Sequence, residues 1–282
     1  MTIDFIRYLD AKRFIDDRSL NRHVWQTLVS LLDERHTGPL RILELGAGIG
    51  TMLDRFKEWR LYDGQILYHG VDQQNTEVAR QRFSDGTRTG DRVTARFTEA
   101  DVFAFAAETQ DQWDLLVAHA FLDLVHIPEV LPDLFNLLRP GGLFYFTLTF
   151  DGVTALEPPV DPELDKRIVD LYHRSMDTRI INGKPSGDSR AGRHLLHHLR
   201  EADAVIEAAG GSDWVVMAGP NGVYQGDEAY FLQHILHFFD EALRGQIDAG
   251  TLDGWLTARQ RQINEGTLIY IAHQIDVVGT RG

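Results

Sequence analysis

The stretch Glu44-Leu45-Gly46-Ala47-Gly48-Ile49-Gly50 sets three glycines at alternate positions, directly after an apolar run at 41–45 and directly before a helix that begins near Thr51. Glycines at a strand-to-helix turn let a ligand approach the backbone closely and leave the free amides of the helix facing it. A dinucleotide fingerprint would read Gly-x-Gly-x-x-Gly, with glycine or alanine at position 51; here the spacing is Gly-x-Gly-x-Gly and position 51 is threonine. Two aspartates recur at similar places further on: Asp72 after Gly70-Val71, and Asp101 in Glu99-Ala100-Asp101-Val102. A carboxylate at the carboxyl end of a strand can accept both hydroxyls of a ribose, and taken alone it reads equally as a helix cap.

These residues need a sheet to bring them to one edge. Between 40 and 150, apolar stretches at 41–45, 66–71, 93–97, 115–120 and 143–150 alternate with segments long enough for a helix, which is the pattern of a doubly wound parallel sheet. The near-continuous apolar runs at 115–118 and 143–146 suit strands buried on both faces. Leu138-Arg139-Pro140-Gly141-Gly142 turns a helix end into the fifth strand. Ahead of the sheet, residues 1–38 read as helical through Leu20, Val24, Leu28, Leu31 and Leu32, stopped by Gly38-Pro39. Residues 151–189 read as an insertion around a helix from Pro162 to about Asp177. Residues 190–209 read as one helix through Leu195, Leu199 and Ile206, with strands at 214–217 and 267–277 and helices near 227–244 and 252–265. The expected organisation is a helical segment at 1–38, a core at 39–150, an insertion at 151–189, and the rest of the sheet at 190–282 with a helical insertion at 218–266.

Twenty-eight basic against forty-two acidic residues in 282 give a net charge of −14, and that field repels phosphate backbones at long range. A nucleic-acid partner is therefore disfavoured. No apolar run approaches the roughly 18 residues of a membrane span, and Asp4 and Arg7 interrupt the amino-terminal stretch where a secretory signal would need a continuous apolar core. No membrane partner is expected and the cytoplasm is the expected location; nothing marks an oligomeric state. With no cysteine there is no disulfide, thiol nucleophile or thiolate zinc site. His194, His197 and His198 share a helix face, but without a carboxylate at fixed spacing they read as a solvated surface, and no metal is expected. His234 and His237 read the same way. Tyr224, Tyr230, Phe231, Phe238 and Phe239 read as core or as pocket lining.

Glu44 to Gly50, Asp72, Asp101-Val102 and the 138–142 turn, in this order, resemble the class I S-adenosylmethionine-dependent methyltransferases. The resemblance covers about two thirds of the chain, closely at 40–150 and more loosely at 190–217 and 267–277. It implies an α/β fold with a doubly wound, seven-stranded, mostly parallel sheet of order 3-2-1-4-5-7-6, the last strand antiparallel, carrying helical cap insertions. It implies S-adenosyl-L-methionine as cofactor and S-adenosyl-L-homocysteine as product. Gly46, Ala47, Gly48 and Gly50 would then lie beside the methionine and sugar, with Glu44 supporting the loop. Asp72, with Gln73 beside it, would meet the ribose, Asp101 and Val102 the adenine, and Ala118 and His119 the neighbourhood of the reacting methyl group. The Asn/Asp-Pro-Pro-Tyr/Phe motif of amino-methylating nucleic-acid and protein-glutamine members is absent, since Ala118 is followed by His119-Ala120-Phe121-Leu122. With the acidic charge, this points to a small-molecule oxygen, nitrogen or carbon nucleophile.

Methyl transfer from a sulfonium is an in-line displacement for which a protein supplies orientation, desolvation and sometimes a base. His119 and Asp123 are the candidate bases; a backbone contact for His119, and a helix cap or ion pair for Asp123, are the other readings. Phe121, Tyr172, Arg190 and His194 are the expected substrate contacts. The 151–189 insertion, joined by the amino-terminal segment and the 218–266 helices, is expected to form a lid. Two rivals remain: a nicotinamide-dependent oxidoreductase on a related sheet, against which Thr51 speaks, and a cofactor-binding protein without catalysis.

Overall fold

The computed structural model describes residues 4–84, 92–181 and 183–282. The amino-terminal segment is two helices, α1 (Phe5–Ser19) and α2 (Arg22–Arg35), where the sequence reads as one run. Leu20 leaves the helical region, and the Asn21 side chain accepts from the His23 and Val24 amides, so the second helix starts on its own cap.

Strands and helices then alternate as β1 (Leu40–Leu45), α3 (Thr51–Glu58), β2 (Ile66–Asp72), α4 (Thr76–Ser84), β3 (Val93–Glu99), α5 (Val102–Glu108), β4 (Trp113–His119), α6 (Ile127–Asn136) and β5 (Leu138–Glu157). The chain continues through α7 (Pro162–Asp177), a small hairpin of β6 (Ile180–Ile181) and β7 (Lys184–Pro185), α8 (Ala191–Glu201), β8 (Val205–Gly211) and β9 (Trp214–Val216). It closes with α9 (Glu228–Leu243), α10 (Ala249–Asn264) and β10 (Ile269–Thr280).

The main sheet runs β3-β2-β1-β4-β5-β10-β8, which is the expected order, with β9 paired beside it on β10. The first five strands pair with one another in parallel, and β10 is antiparallel to both β5 and β8. Every residue of β4 is buried, which explains its unbroken apolar run. On one face Val24, Leu28, Leu31 and Leu32 of α2 pack with Met52, Leu53 and Phe56 of α3. Each such side chain contributes about 1.5–3 kcal/mol on burial. On the other face Leu131 and Leu134 of α6 and Leu195 and Leu199 of α8 close a second core. A third core joins α1, α7, α9 and α10 over the carboxyl half of β5, with Tyr8, Ile15, Ile168, Phe231, Phe239 and Trp255 among its buried members.

Two spans differ from the sequence reading. The helix expected over 190–209 ends at Glu201, and Val205–Gly211 is a strand paired with β10. The turn is made by Asp203 at φ +56° and by the Ala204 amide donating to Leu199, and Ile206 belongs to the sheet although its spacing continues the helical stripe. Gly210 gives room to a neighbour as well as ending a stripe: a β-carbon there would stand 2.4 Å from the Asn21 side-chain Nδ2. The fifth strand also continues to Glu157, pairing Thr154, Ala155 and Leu156 with Ala272, Ile271 and Tyr270, so the first residues of the expected insertion are sheet.

Candidate active site

At the end of β1 the chain turns through Gly46 at φ +70°, Gly48 at +49° and Gly50 at +80°, the last of these capping α3. Side chains are disfavoured there by backbone strain, and at Gly46 also by contact, since a β-carbon would lie 2.7 Å from the Phe121 ring. The Gly46 and Ala47 amides donate to the Val71 carbonyl at 2.9 and 3.2 Å. Asp72 fixes the rest of the loop: one carboxylate oxygen accepts from the Gly48 amide at 2.8 Å, the other from the Gln74 amide at 2.9 Å. Burial raises the Asp72 pKa, and these amide bonds oppose the rise.

Asp101 caps α5 by accepting from the Phe103 and Ala104 amides, both at 2.9 Å, and its other oxygen accepts from the Gln73 side chain at 2.6 Å. Gln73 thereby ties the ends of β2 and β3 together, and Val102 is buried behind it. Glu44 lies inside the sheet, accepting from the Tyr68 hydroxyl. Burial pushes its carboxyl up to about 8, against the pull of Tyr68 and Arg55, so it is protonated at neutral pH. The structure thus brings Glu44, the glycine loop, Asp72, Gln73, Asp101 and Val102 to one carboxyl edge.

At the end of β4, Ala118 and His119 are buried, and Ala120 turns the chain at φ +49°. His119 Nδ1 meets the Thr147 hydroxyl at 2.8 Å, and Nε2 lies 3.1 Å from Asp16 and 3.2 Å from an Arg55 nitrogen. Burial and the charges of Arg55 and Lys12 push His119 down to about 3. As a base this histidine is therefore neutral, weak and already bonded on both nitrogens. Asp123 differs. It lies in a single 3-10 turn at Leu122–Leu124, its Oδ1 is buried without a hydrogen-bond partner, and burial pushes its carboxyl up to about 6.

Residues 43–144 match the family model of a methyltransferase domain. The match is a likeness to that family over 102 of the 282 residues, about a third of the chain. No curated protein matches the chain. Among solved structures, the YcgJ protein from Bacillus subtilis is 14% identical with a TM-score of 0.49, covering 93% of this chain and 99% of its own. A methyltransferase from Thiobacillus denitrificans, solved with S-adenosylhomocysteine, is 16% identical at 0.47, covering 93% of each chain. Geranyl diphosphate C-methyltransferase from Streptomyces coelicolor is 11% identical at 0.44, covering 92% of this chain and 77% of its own.

The carboxyl edge of the sheet is roofed by α1, which lies outside the matched residues. Leu9 comes within 3.6 Å of where a Gly48 β-carbon would be. Asp16 forms ion pairs with Lys12 at 2.7 Å and Arg55 at 3.5 Å, meets His119, and accepts from the Trp214 indole at 2.9 Å. Burial alone would raise the Asp16 pKa, but Lys12, His119 and Arg55 together hold it well below the usual carboxylate range. Arg55, wholly buried, also pairs with Asp17 at 2.5 Å. The sequence reading missed Lys12, Asp16, Arg55 and Trp214; the only local signal was the i, i+4 spacing of Lys12 and Asp16 inside α1.

Of the expected substrate contacts, Phe121 packs over Gly46, and Tyr172 on α7 stacks on Phe239 at 4.1 Å, its hydroxyl pushed up to about 12 by burial. Arg190 and His194 are exposed, and His194 pairs with Asp188 at 2.6 Å; both belong to the outer surface because α8 turns its apolar face inward. His197 and His198 each pair with Glu201. Among the described residues no group of three or more histidine, aspartate or glutamate side chains is placed to hold a metal. Phe231 and Phe239 are core, and no helix among the described residues is long and apolar enough to cross a membrane.

Proposed function

We propose that the protein transfers the methyl group of S-adenosylmethionine to an oxygen, nitrogen or carbon nucleophile of a small molecule held between the carboxyl edge of the sheet and a lid of helices. The observation that carries this is the convergence at one edge of the Gly46–Gly50 loop, Asp72 bonded to the Gly48 amide, and Asp101 bonded to Gln73. Glu44, Gly46, Ala47, Gly48 and Gly50 shape the methionine and sugar side of the site, Asp72 and Gln73 meet the ribose, and Asp101 and Val102 meet the adenine. Each Asp72 oxygen has a further lone pair beyond its amide bond, enough for a ribose hydroxyl. Ala118 and the backbone of His119 line the approach to the sulfonium. The cofactor supplies an electrophilic methyl group.

This chain supplies position, dryness and a base. Asp123, half-buried with its buried Oδ1 uncommitted, takes the proton of the nucleophile. His119 serves as a strut between α1 and β4. The lid is α1, α7 and the α9–α10 pair, which share one core with the carboxyl half of β5, together with the exposed hairpin after α7. The return from the hairpin docks on the post-β4 turn, the Asp188 amide donating to the Asp123 carbonyl at 3.2 Å and the Ser186 hydroxyl to Leu124 at 2.6 Å. A net charge of −14 favours a small acceptor over a nucleic acid.

The test is turnover of methyl-labelled cofactor with metabolite extracts, followed by mass spectrometry. Label should appear in a small molecule together with S-adenosylhomocysteine. No labelled product, with a fluorescence change on mixing NADH or NADPH, would replace this reading with the oxidoreductase.

A further inference from the structure

Building on the methyl-transfer reading, we propose that the methyl acceptor carries an anionic group, a carboxylate or a phosphate, that Arg179 binds while the nucleophile faces Asp123. Arg179 follows α7, and its side chain is half-buried. Among the described residues its guanidinium makes no ion pair within 4.0 Å and no hydrogen bond. Its Nη1 lies 3.8 Å from where a Gly187 β-carbon would stand, and the Asp123 carbonyl oxygen lies 3.4 Å from the same point. The guanidinium and the Asp123 turn therefore converge on Gly187.

Proteins rarely withdraw a cation from water without a counter-ion, because the lost hydration is not returned. The acids nearest in sequence are committed elsewhere. Asp188 holds His194 and the Arg190 amide, Asp177 accepts from the Ser189 amide, and Glu129 pairs with Lys184. The Asp123 carboxyl lies near enough to feel the charge of Arg179, and the two do not pair. A molecule with a hydroxyl or amine toward Asp123 Oδ1 and an anion toward Arg179 satisfies both groups at once. The planar guanidinium fork matches carboxylate and phosphate oxygens. Tyr172, close enough for both charges to act on its hydroxyl, supplies an aromatic wall. A local cation also answers the global field, since a protein of net charge −14 repels anions except where an arginine receives them.

Benzoate and phenyl phosphate are the probes, titrated calorimetrically into protein saturated with S-adenosylhomocysteine, with benzamide as the neutral control. At least one anion should bind better than benzamide. Arg179→Gln should weaken it ten- to a hundredfold, the range expected for a charge-assisted bond, Arg179→Lys should restore part of the loss, and Arg200→Gln on the outer face of α8 should leave it unchanged. Benzoate outperforming phenyl phosphate assigns a carboxylate, and the reverse a phosphate. Equal binding to wild type and a folded Arg179→Gln variant, or no binding of either anion at concentrations on the order of 10 mM while S-adenosylhomocysteine binds, overturns the inference. Failure to bind S-adenosylhomocysteine would instead strike the methyl-transfer reading.

Discussion

At the carboxyl edge of the sheet, the contacts that place Gly48, Asp72 and Asp101 are made largely by backbone amides a few residues beyond a strand end. In the roof above it, one buried aspartate on α1 joins Lys12, Arg55, His119 and Trp214, which come from four separate elements. The edge is a product of local backbone geometry; the roof is a product of charges that need one another. The first tolerates varied side chains so long as the turns are kept. The second fails when Asp16 is removed, because Lys12 loses its buried counter-ion and Arg55 keeps only Asp17.

The largest effect should therefore come from the roof. Asp16→Ala leaves Lys12 and Arg55 without their shared carboxylate and is expected to cost about 3–5 kcal/mol, a fall in Tm on the order of 10 °C, read by thermal and urea unfolding. A loss below about 1 kcal/mol would mean that the roof and the sheet are energetically separate.

Next in size is Asp123, where roof and edge meet. Asp123→Asn should lower kcat about a hundredfold with S-adenosylhomocysteine binding intact, roughly 2.7 kcal/mol of transition-state stabilisation. With a folded-state pKa raised to about 6, the basic form exists above that value, so the wild-type rate should fall as pH drops through about 6 and level off above it. A flat profile, or a variant as fast as wild type, would remove Asp123 as the base.

The residues most open to sequence reading predict the smaller changes. Glu44, the glycines, Asp72 and Asp101 lie within five residues of a strand end, and a turn so short leaves its mark in the residue types themselves. Asp16 and His119 are 103 positions apart and Asp16 and Trp214 are 198 apart, so neither pairing leaves a local pattern. Val205–Gly211 misled for a related reason: Ile206 continues the spacing of Leu195 and Leu199, while the hydrogen bonds that make it a strand come from β10 at the far end of the chain. Arg190, at the N-cap of α8, and His194, on α8, sit next to the insertion in sequence and are exposed on the surface.

For the edge itself, Asp72→Ala should weaken cofactor binding by about 1.5–3 kcal/mol without unfolding the protein, part of it from the freed Gly48 amide. Unchanged affinity would move the ribose contact to another residue. Asp101→Ala should be smaller, about 1 kcal/mol of stability for the lost cap on α5 and a modest loss of affinity, since Val102 still lines the site. An Asp101 effect exceeding that of Asp72 would reverse the roles given to the ends of β2 and β3.

The most direct measurement is titration calorimetry of the intact protein with S-adenosylmethionine and with S-adenosylhomocysteine. Saturable binding of both at a single site per chain, with a Kd well below about 1 mM and weakened in Asp72→Ala, is the predicted result. Absence of heat from either ligand up to that concentration, with circular dichroism showing the protein folded, would contradict the assignment of the carboxyl edge as a cofactor site.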